Sequence, residues 1–176
     1  MTQSVQGVRR MRFVRDYDRE AAVECAHRWA YGRNPAYYNF DAIGGDCTNF
    51  ASQCLFAGAG IMNYTPTFGW YYIDINNRAP AWTGVPFFYN YLTRTAESAG
   101  PVARIGTARE LMKGDFVQLS FTGEEYGHTP VVVAVEAPYT LDDILVAAHT
   151  NDADYRPLST YSFRKIRFLH IEGVFR

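Results

Sequence analysis

Residues 44–53, with the sequence Gly-Gly-Asp-Cys-Thr-Asn-Phe-Ala-Ser-Gln, decide how this chain is organised. The two glycines allow the backbone to bend sharply, and Asp46 belongs to the residue types that cap helix N-termini. Apolar residues then recur at helical spacing, which predicts a helix over residues 48–58. Cys47 is therefore expected at the start of a helix, directly after a tight turn.

Two further helices are predicted, one on each side of this stretch. Residues 18–31 carry an apolar stripe at helical spacing, and Gly32 and Pro35 end the segment. Residues 83–97 begin with Thr83 as the capping residue and have a proline in the first turn, where it is tolerated. The first half of the chain is thus predicted to be helical.

The second half of the chain has a different period. Four short β-branched or alternating runs are separated by turn residues, at 115–120, 129–136, 144–150 and 166–174. Helices followed by strands predict an α+β fold in which N-terminal helices pack on a largely antiparallel sheet. A doubly wound nucleotide-binding fold is disfavoured because the glycines form no phosphate-binding motif.

Length and composition limit the class of protein. The chain has 176 residues, of which 48% are hydrophobic, so we expect one globular domain over residues 1–176. Its 17 basic and 18 acidic side chains argue against nucleic acid as a partner. No apolar run reaches the roughly 20 residues of a membrane span. The sequence does not fix the oligomeric state.

Residues 1–16 are interpreted as a possible N-terminal extension. They lack the apolar segment of a secretory signal, so the chain as written is expected to be cytoplasmic. A signal removed beforehand is the alternative and would leave the localisation undecided. Their basic cluster is interpreted as a solvated tail and comprises Arg9, Arg10, Arg12 and Arg15.

Cys47 is the candidate nucleophile among three cysteines. A free thiol has a pKa of about 8.5, and a helix N-terminus together with a nearby imidazolium favours the anion. Lowering the pKa by two units requires about 2.7 kcal/mol, which these sources together can supply. A small buried cysteine is the alternative, and position alone does not separate the two hypotheses. Cys25 and Cys54 are predicted to be core residues.

His128 is the candidate base because it follows a glycine- and acid-rich loop and opens a predicted strand. The turn near residues 138–140 predicts that paired positions of the two middle strands sum to about 278. The position opposite His128 then lies within 148–152, where His149 or Asn151 could orient its ring. A purely structural His149 is the alternative. His27 and His170 have no polar partner suggested by their context.

The segment 64–91 is rich in aromatic residues. Most of them are expected to pack over the sheet, whereas Trp70 and Trp82, which adjoin glycines, are predicted to line a substrate groove. A zinc site built from Cys47, His128 and His149 is disfavoured because no pair has metal-motif spacing, so neither a metal nor a cofactor is expected.

Residues 44–53 resemble the nucleophile motif of the putative amidase domain family, a bacterial group related to the NlpC/P60 and CHAP cysteine hydrolases. Further segments agree with this family in order, and the similarity extends over about residues 17–170. These segments are 29–40, 69–72, 82–84, 113–119, His128 and 149–158.

The resemblance implies a papain-like fold with Cys47 as nucleophile and His128 as base. It places the third polar residue in the stretch 149–151, where His149 is favoured over Asn151. Asp46, Asn49 and Gln53 would cap the helix or line the substrate pocket. The implied activity is hydrolysis of a peptide or peptidoglycan-like amide through a thioester. An acyltransferase or a binding module without turnover on the same fold are the alternatives.

Overall fold

The computed structural model describes residues 16–176, and the basic N-terminal cluster lies outside this range. The first two helices are α1 (Arg19–Trp29) and α2 (Cys47–Ala59), which confirms the two helices predicted there. The side chain of Asp18 accepts a hydrogen bond from the N–H of Ala21 and so caps α1. Gly60, with a φ of 67°, ends α2 in the left-handed conformation typical of helix C-termini.

The third predicted helix is shorter than expected and is preceded by a separate turn of helix. α3 (Pro80–Thr83) and α4 (Val85–Leu92) meet at Gly84, which takes the N-cap position predicted for Thr83. After α4 the chain turns around Arg94, whose guanidinium donates to the carbonyls of Tyr91, Ser98 and Pro101. These bonds hold residues 93–99 in a loop, so the helix does not continue to residue 97.

Eight strands complete the fold of residues 16–176. β1 (Tyr72–Asp74) and β2 (Asn77–Arg78) form a small hairpin of their own. The other six are β3 (Gly100–Gly106), β4 (Phe116–Ser120), β5 (Val131–Val135), β6 (Ile144–Ala148), β7 (Ala153–Pro157) and β8 (Lys165–Phe175). They form one antiparallel sheet in the order β3-β8-β4-β5-β6-β7, so the predicted α+β class with an antiparallel sheet is confirmed.

The register of the central hairpin follows the prediction. Val131 pairs with Ala147 and Val132 with Val146, both of which sum to 278, and the pairs beyond a bulge sum to 279. Because side chains alternate across a strand, Val131 joins the core under the helices while Val132 joins a smaller cluster on the opposite face. The sheet therefore has two buried faces, and α2 covers the first of them.

The contact between α1 and α2 leaves no room for a side chain at Gly58. A Cβ there would meet the ring of Tyr17 and lie 2.7 Å from the carbonyl oxygen of Asp18. We expect Gly58→Ala to lower the free energy of unfolding by about 1–3 kcal/mol, because overpacking outweighs the better helix propensity of alanine. Urea unfolding measures the change. Gly32→Ala is the control, since its Cβ would meet only Trp29 at an ordinary 3.8 Å; equal losses in the two variants would contradict the expectation.

Among residues 16–176, none of the helices is long and apolar enough to cross a membrane.

Candidate active site

The turn before α2 is built as the two glycines predict. Gly44 and Gly45 have φ values of 83° and 99°, which other residues adopt only with strain. Asp46 occupies the N-cap position, but its side chain makes no capping bond. The carboxylate instead accepts from the N–H of Phe40 at 2.8 Å and from the amide of Asn49 at 2.9 Å. It therefore ties the preceding loop to the helix.

Cys47 is the first residue of α2 and is 8% exposed. Its Sγ lies 3.8 Å from the hydroxyl of Thr48, and the backbone N–H groups of Thr48 and Thr129 also favour its anion. Burial nevertheless raises the pKa of the thiol above its ordinary value, and the charge of Asp46 adds to this. The lowered pKa expected from the helix position is thus wrong, because desolvation outweighs the hydrogen bonds. Cys47 rests as a neutral thiol.

His128 lies just before β5 and forms a bridge with Leu119, so the predicted position at a sheet end is confirmed. It directly precedes Thr129, whose N–H faces the sulfur of Cys47. Burial, with a smaller contribution from the charge of Arg156, lowers the pKa of His128 to about 4. The ring is therefore neutral at pH 7, and the imidazolium expected to stabilise the thiolate is absent.

The Nε2 atom of His128 is buried and has no hydrogen-bond partner within residues 16–176. The neighbouring rings are those of Phe121 and Tyr161, with centroids 6.2 and 5.7 Å away. The hydroxyl of Tyr161 likewise lacks a partner in the described part of the chain. Arg156 lies 3.7 Å from the centroid of the Tyr161 ring. The candidate base thus has an unpaired ring nitrogen that can accept a proton because the ring is neutral, and the neighbouring Tyr161 carries an unpaired hydroxyl.

His149 lies on the helix side of the sheet and not against His128. Its Nδ1 is 2.5 Å from the carboxylate of Asp46, and its Nε2 donates to the carbonyl of Trp29 at 2.7 Å. The ring of Phe50 stacks on it. Because both nitrogens are engaged, His149 does not orient His128 in this structure. The reason is strand parity, which places residue 149 with Ala147 on the face covered by α2.

Asn151 is exposed in the turn between β6 and β7, where its φ is 59°. The structure therefore does not bring either predicted orienting residue to the His128 ring.

Asn49 and Gln53 are buried on α2. Asn49 donates to the carbonyl of Tyr38 and to Asp46, and its oxygen accepts from Trp82, so it organises the core. Gln53 lines a cavity of about 330 Å³ between α1 and α2, together with Cys25. All three contacts of Asn49 are with the protein, and the substrate-pocket role expected of Asn49 and Gln53 stays a prediction.

Trp70 and Trp82 are core residues and do not line a groove, so that expectation is wrong. Both are 0% exposed, and their ring centroids are 5.0 Å apart. The indole N–H of Trp70 donates to Ser52 and that of Trp82 to Asn49, at 3.0 and 2.9 Å. These bonds satisfy the polar atoms of both rings, which allows complete burial. Phe88 and Tyr91 are buried with them, whereas Tyr64, Phe68 and Phe87 are exposed, so inward packing of the aromatic segment is confirmed only in part.

The two remaining histidines each have a carboxylate partner, contrary to the sequence-based expectation. His27 pairs with Asp154 and His170 with Asp115, both at 2.8 Å. The partners are 127 and 55 residues away in the chain, so the local sequence contained no sign of them. Cys54 is fully buried as predicted, whereas Cys25 is only partly buried.

Residues 16–171 match a protein-family model described as "Putative amidase domain", and the chain belongs to that family. The family description indicates amide hydrolysis at a coarse level. It is similar to the uncharacterized protein YhbB of Bacillus subtilis (strain 168), with 38% identity over 121 residues. The alignment covers 67% of this chain and 37% of YhbB, so the chain spans little more than a third of that relative. No solved structure gives a significant match.

Proposed function

We propose that this chain is a cysteine-dependent amidase with a papain-like fold related to the NlpC/P60 and CHAP hydrolases. Cys47 is the nucleophile and His128 the general base. The observation that carries this proposal is that the hydroxyl of Thr48 lies 3.8 Å from Sγ of Cys47 and 3.3 Å from the hydroxyl of Thr129, the residue that directly follows His128. Family membership over residues 16–171 supports amide hydrolysis at a coarse level, and the cysteine mechanism is our proposal.

The proposed reaction starts from a neutral thiol and a neutral imidazole. As Sγ attacks the amide carbonyl, the S–C bond forms and the thiol proton passes to His128. Backbone N–H groups at the start of α2 can stabilise the carbonyl oxygen as it becomes negative. The C–N bond then breaks, the amine leaves with the proton from His128, and water hydrolyses the thioester.

The proposed substrate is a bacterial cell-wall peptide or a related amide. An acyltransferase would use the same thioester and differ only in the acceptor that releases the acyl group. A binding module of the same fold would form no thioester. Mass analysis of Cys47 after incubation with the substrate separates the enzymes from the binding module, because only an enzyme accumulates an acyl group there.

The test is digestion of purified peptidoglycan by the wild type, Cys47→Ala and Cys25→Ala, with mass spectrometry of the fragments. We expect Cys47→Ala to lose at least about 10³-fold in rate, because loss of a nucleophile removes the covalent route. Cys25→Ala, which removes another partly accessible thiol, is expected to keep wild-type activity. Equal digestion by the wild type and Cys47→Ala would refute the proposed nucleophile.

A further inference from the structure

A continuous row of polar side chains leads from a cation to the sulfur of Cys47. The Nε of Arg167 is 2.9 Å from the oxygen of Gln118, whose amide nitrogen is 3.2 Å from the hydroxyl of Thr129. That hydroxyl is 3.3 Å from the hydroxyl of Thr48, which lies 3.8 Å from Sγ of Cys47. Between its two ends the row is completely buried.

The arginine end fixes the direction of the first two hydrogen bonds in this row and leaves the threonine protons free to point toward Cys47. A guanidinium can only donate, so the oxygen of Gln118 faces Arg167. The amide NH₂ of Gln118 then donates to Thr129 and to the carbonyl of Val85, which can only accept. Because the Thr129 oxygen accepts this bond, its own proton is available for Thr48. The proton of Thr48 is in turn available for the sulfur.

The cation at the far end is held in place. Arg167 lies between two aromatic rings, with its guanidinium carbon 3.5 Å from the centroid of Tyr89 and 3.9 Å from that of Tyr126. A fixed positive charge at one end polarises a chain of hydrogen bonds in a medium of low dielectric constant. Since His128 is neutral, this chain of hydrogen bonds adds a favourable interaction with the buried thiolate to those of the backbone N–H groups of Thr48 and Thr129.

We propose that Arg167, Gln118, Thr129 and Thr48 are positioning residues that hold a hydrogen-bond donor on the sulfur of Cys47 and stabilise the thiolate as it forms. This inference rests on the proposed function, in which Cys47 is the nucleophile. It assigns a role to Thr48 beyond its place in α2. It also assigns a role to Gln118 on β4 and Arg167 on β8, which are far from Thr48 in the sequence.

The test compares valine and serine at the two threonine positions. Valine keeps the shape of threonine without the hydroxyl, while serine keeps the hydroxyl. The readout is the rate at which iodoacetamide alkylates Cys47 as a function of pH, monitored in the full-length protein by peptide mass spectrometry. The half-point is the pH at which this rate is half its maximum. We expect Thr48→Val to raise the half-point by about one unit and Thr129→Val by about half a unit, since one charged hydrogen bond is lost directly or weakened. Thr48→Ser and Thr129→Ser should stay near the wild type.

Two outcomes would overturn the proposal. If Thr129→Val leaves the half-point unchanged, the hydrogen-bond chain does not extend past Thr48. If each serine variant shifts as far as the valine variant, packing and not the hydroxyl sets the reactivity. Peptidoglycan digestion keeps this inference separate from the proposed function. Activity that survives in Cys47→Ala refutes Cys47 as the nucleophile. An inactive Cys47→Ala together with unchanged half-points in the threonine variants refutes only the hydrogen-bond chain.

Discussion

Replacing Asp46 by alanine is expected to lower the free energy of unfolding by about 3–5 kcal/mol, the range for breaking a buried, hydrogen-bonded pair. The carboxylate is 1% exposed and accepts from three groups: the N–H of Phe40, the amide of Asn49 and Nδ1 of His149. Its removal leaves these donors buried without an acceptor, and each unpaired polar group is costly. Urea unfolding at pH 7 measures the loss.

Asp41→Ala is the matched control. Asp41 also belongs to the loop before α2, but its side chain is 41% exposed and its ion pair is with Arg33, which keeps Asp152 as a second partner. Exposed ion pairs contribute at most about 1 kcal/mol, so this variant should remain close to the wild type. If Asp46→Ala costs no more than Asp41→Ala, the buried pair does not stabilise the start of α2 as we infer.

The parts of the fold that could be predicted are those with a strong local pattern. The β-branched run before a short turn fixes the β5–β6 register, and apolar spacing fixes α1 and α2. Of the six strands in the large sheet, the two missing from the prediction, β3 and β7, are its two edges. Edge strands tolerate proline and charged residues, and both of these contain a proline, so neither shows the pattern of a central strand.

The candidate site was predictable only as far as local chemistry reaches. A cysteine after Gly-Gly-Asp indicates a helix start, and a histidine opening a strand indicates a sheet end. Protonation depends on burial, which is a property of the whole fold, and burial reversed the expected pKa shift of Cys47. The partners of His149 lie 103 and 120 residues away, so a structural role could not be separated from a catalytic one.

The tryptophans show how a correct local observation can mislead. Trp70 and Trp82 adjoin glycines, which favoured an open groove, but Ser52 and Asn49 on α2 accept their indole protons. Those two polar residues belong to a helix whose sequence reads as a nucleophile motif. Their role in anchoring the indoles becomes visible only when the helix and the aromatic segment are placed together.

His128→Gln is expected to change both the acid stability and the chemistry of the site. Burial lowers the pKa of His128 from 6.5 to about 4, so between these values the unfolded chain binds a proton that the folded chain does not. Stability of the wild type therefore falls as the pH drops through this window, by about 3 kcal/mol in total from this residue. Glutamine does not titrate, so the variant lacks this loss.

The measurement is urea unfolding of the wild type and His128→Gln at pH 7 and at pH 4. The difference between the two proteins isolates residue 128, because every other titrating group is common to both. We expect the variant to gain about 3 kcal/mol relative to the wild type on acidification. A parallel fall in both proteins would mean that the folded protein binds the proton at His128 as readily as the unfolded chain, and that the ring is not buried.

The same variant tests the proposed base through a separate readout. Without an imidazole to accept the thiol proton, His128→Gln should lower the rate of amide cleavage by about 10²–10⁴-fold at neutral pH. A neutral base of low pKa predicts that wild-type activity persists into the acid range, down to about pH 4. Because stability at neutral pH depends little on this titration, loss of cleavage in a variant that remains folded would identify His128 as the group that moves the proton.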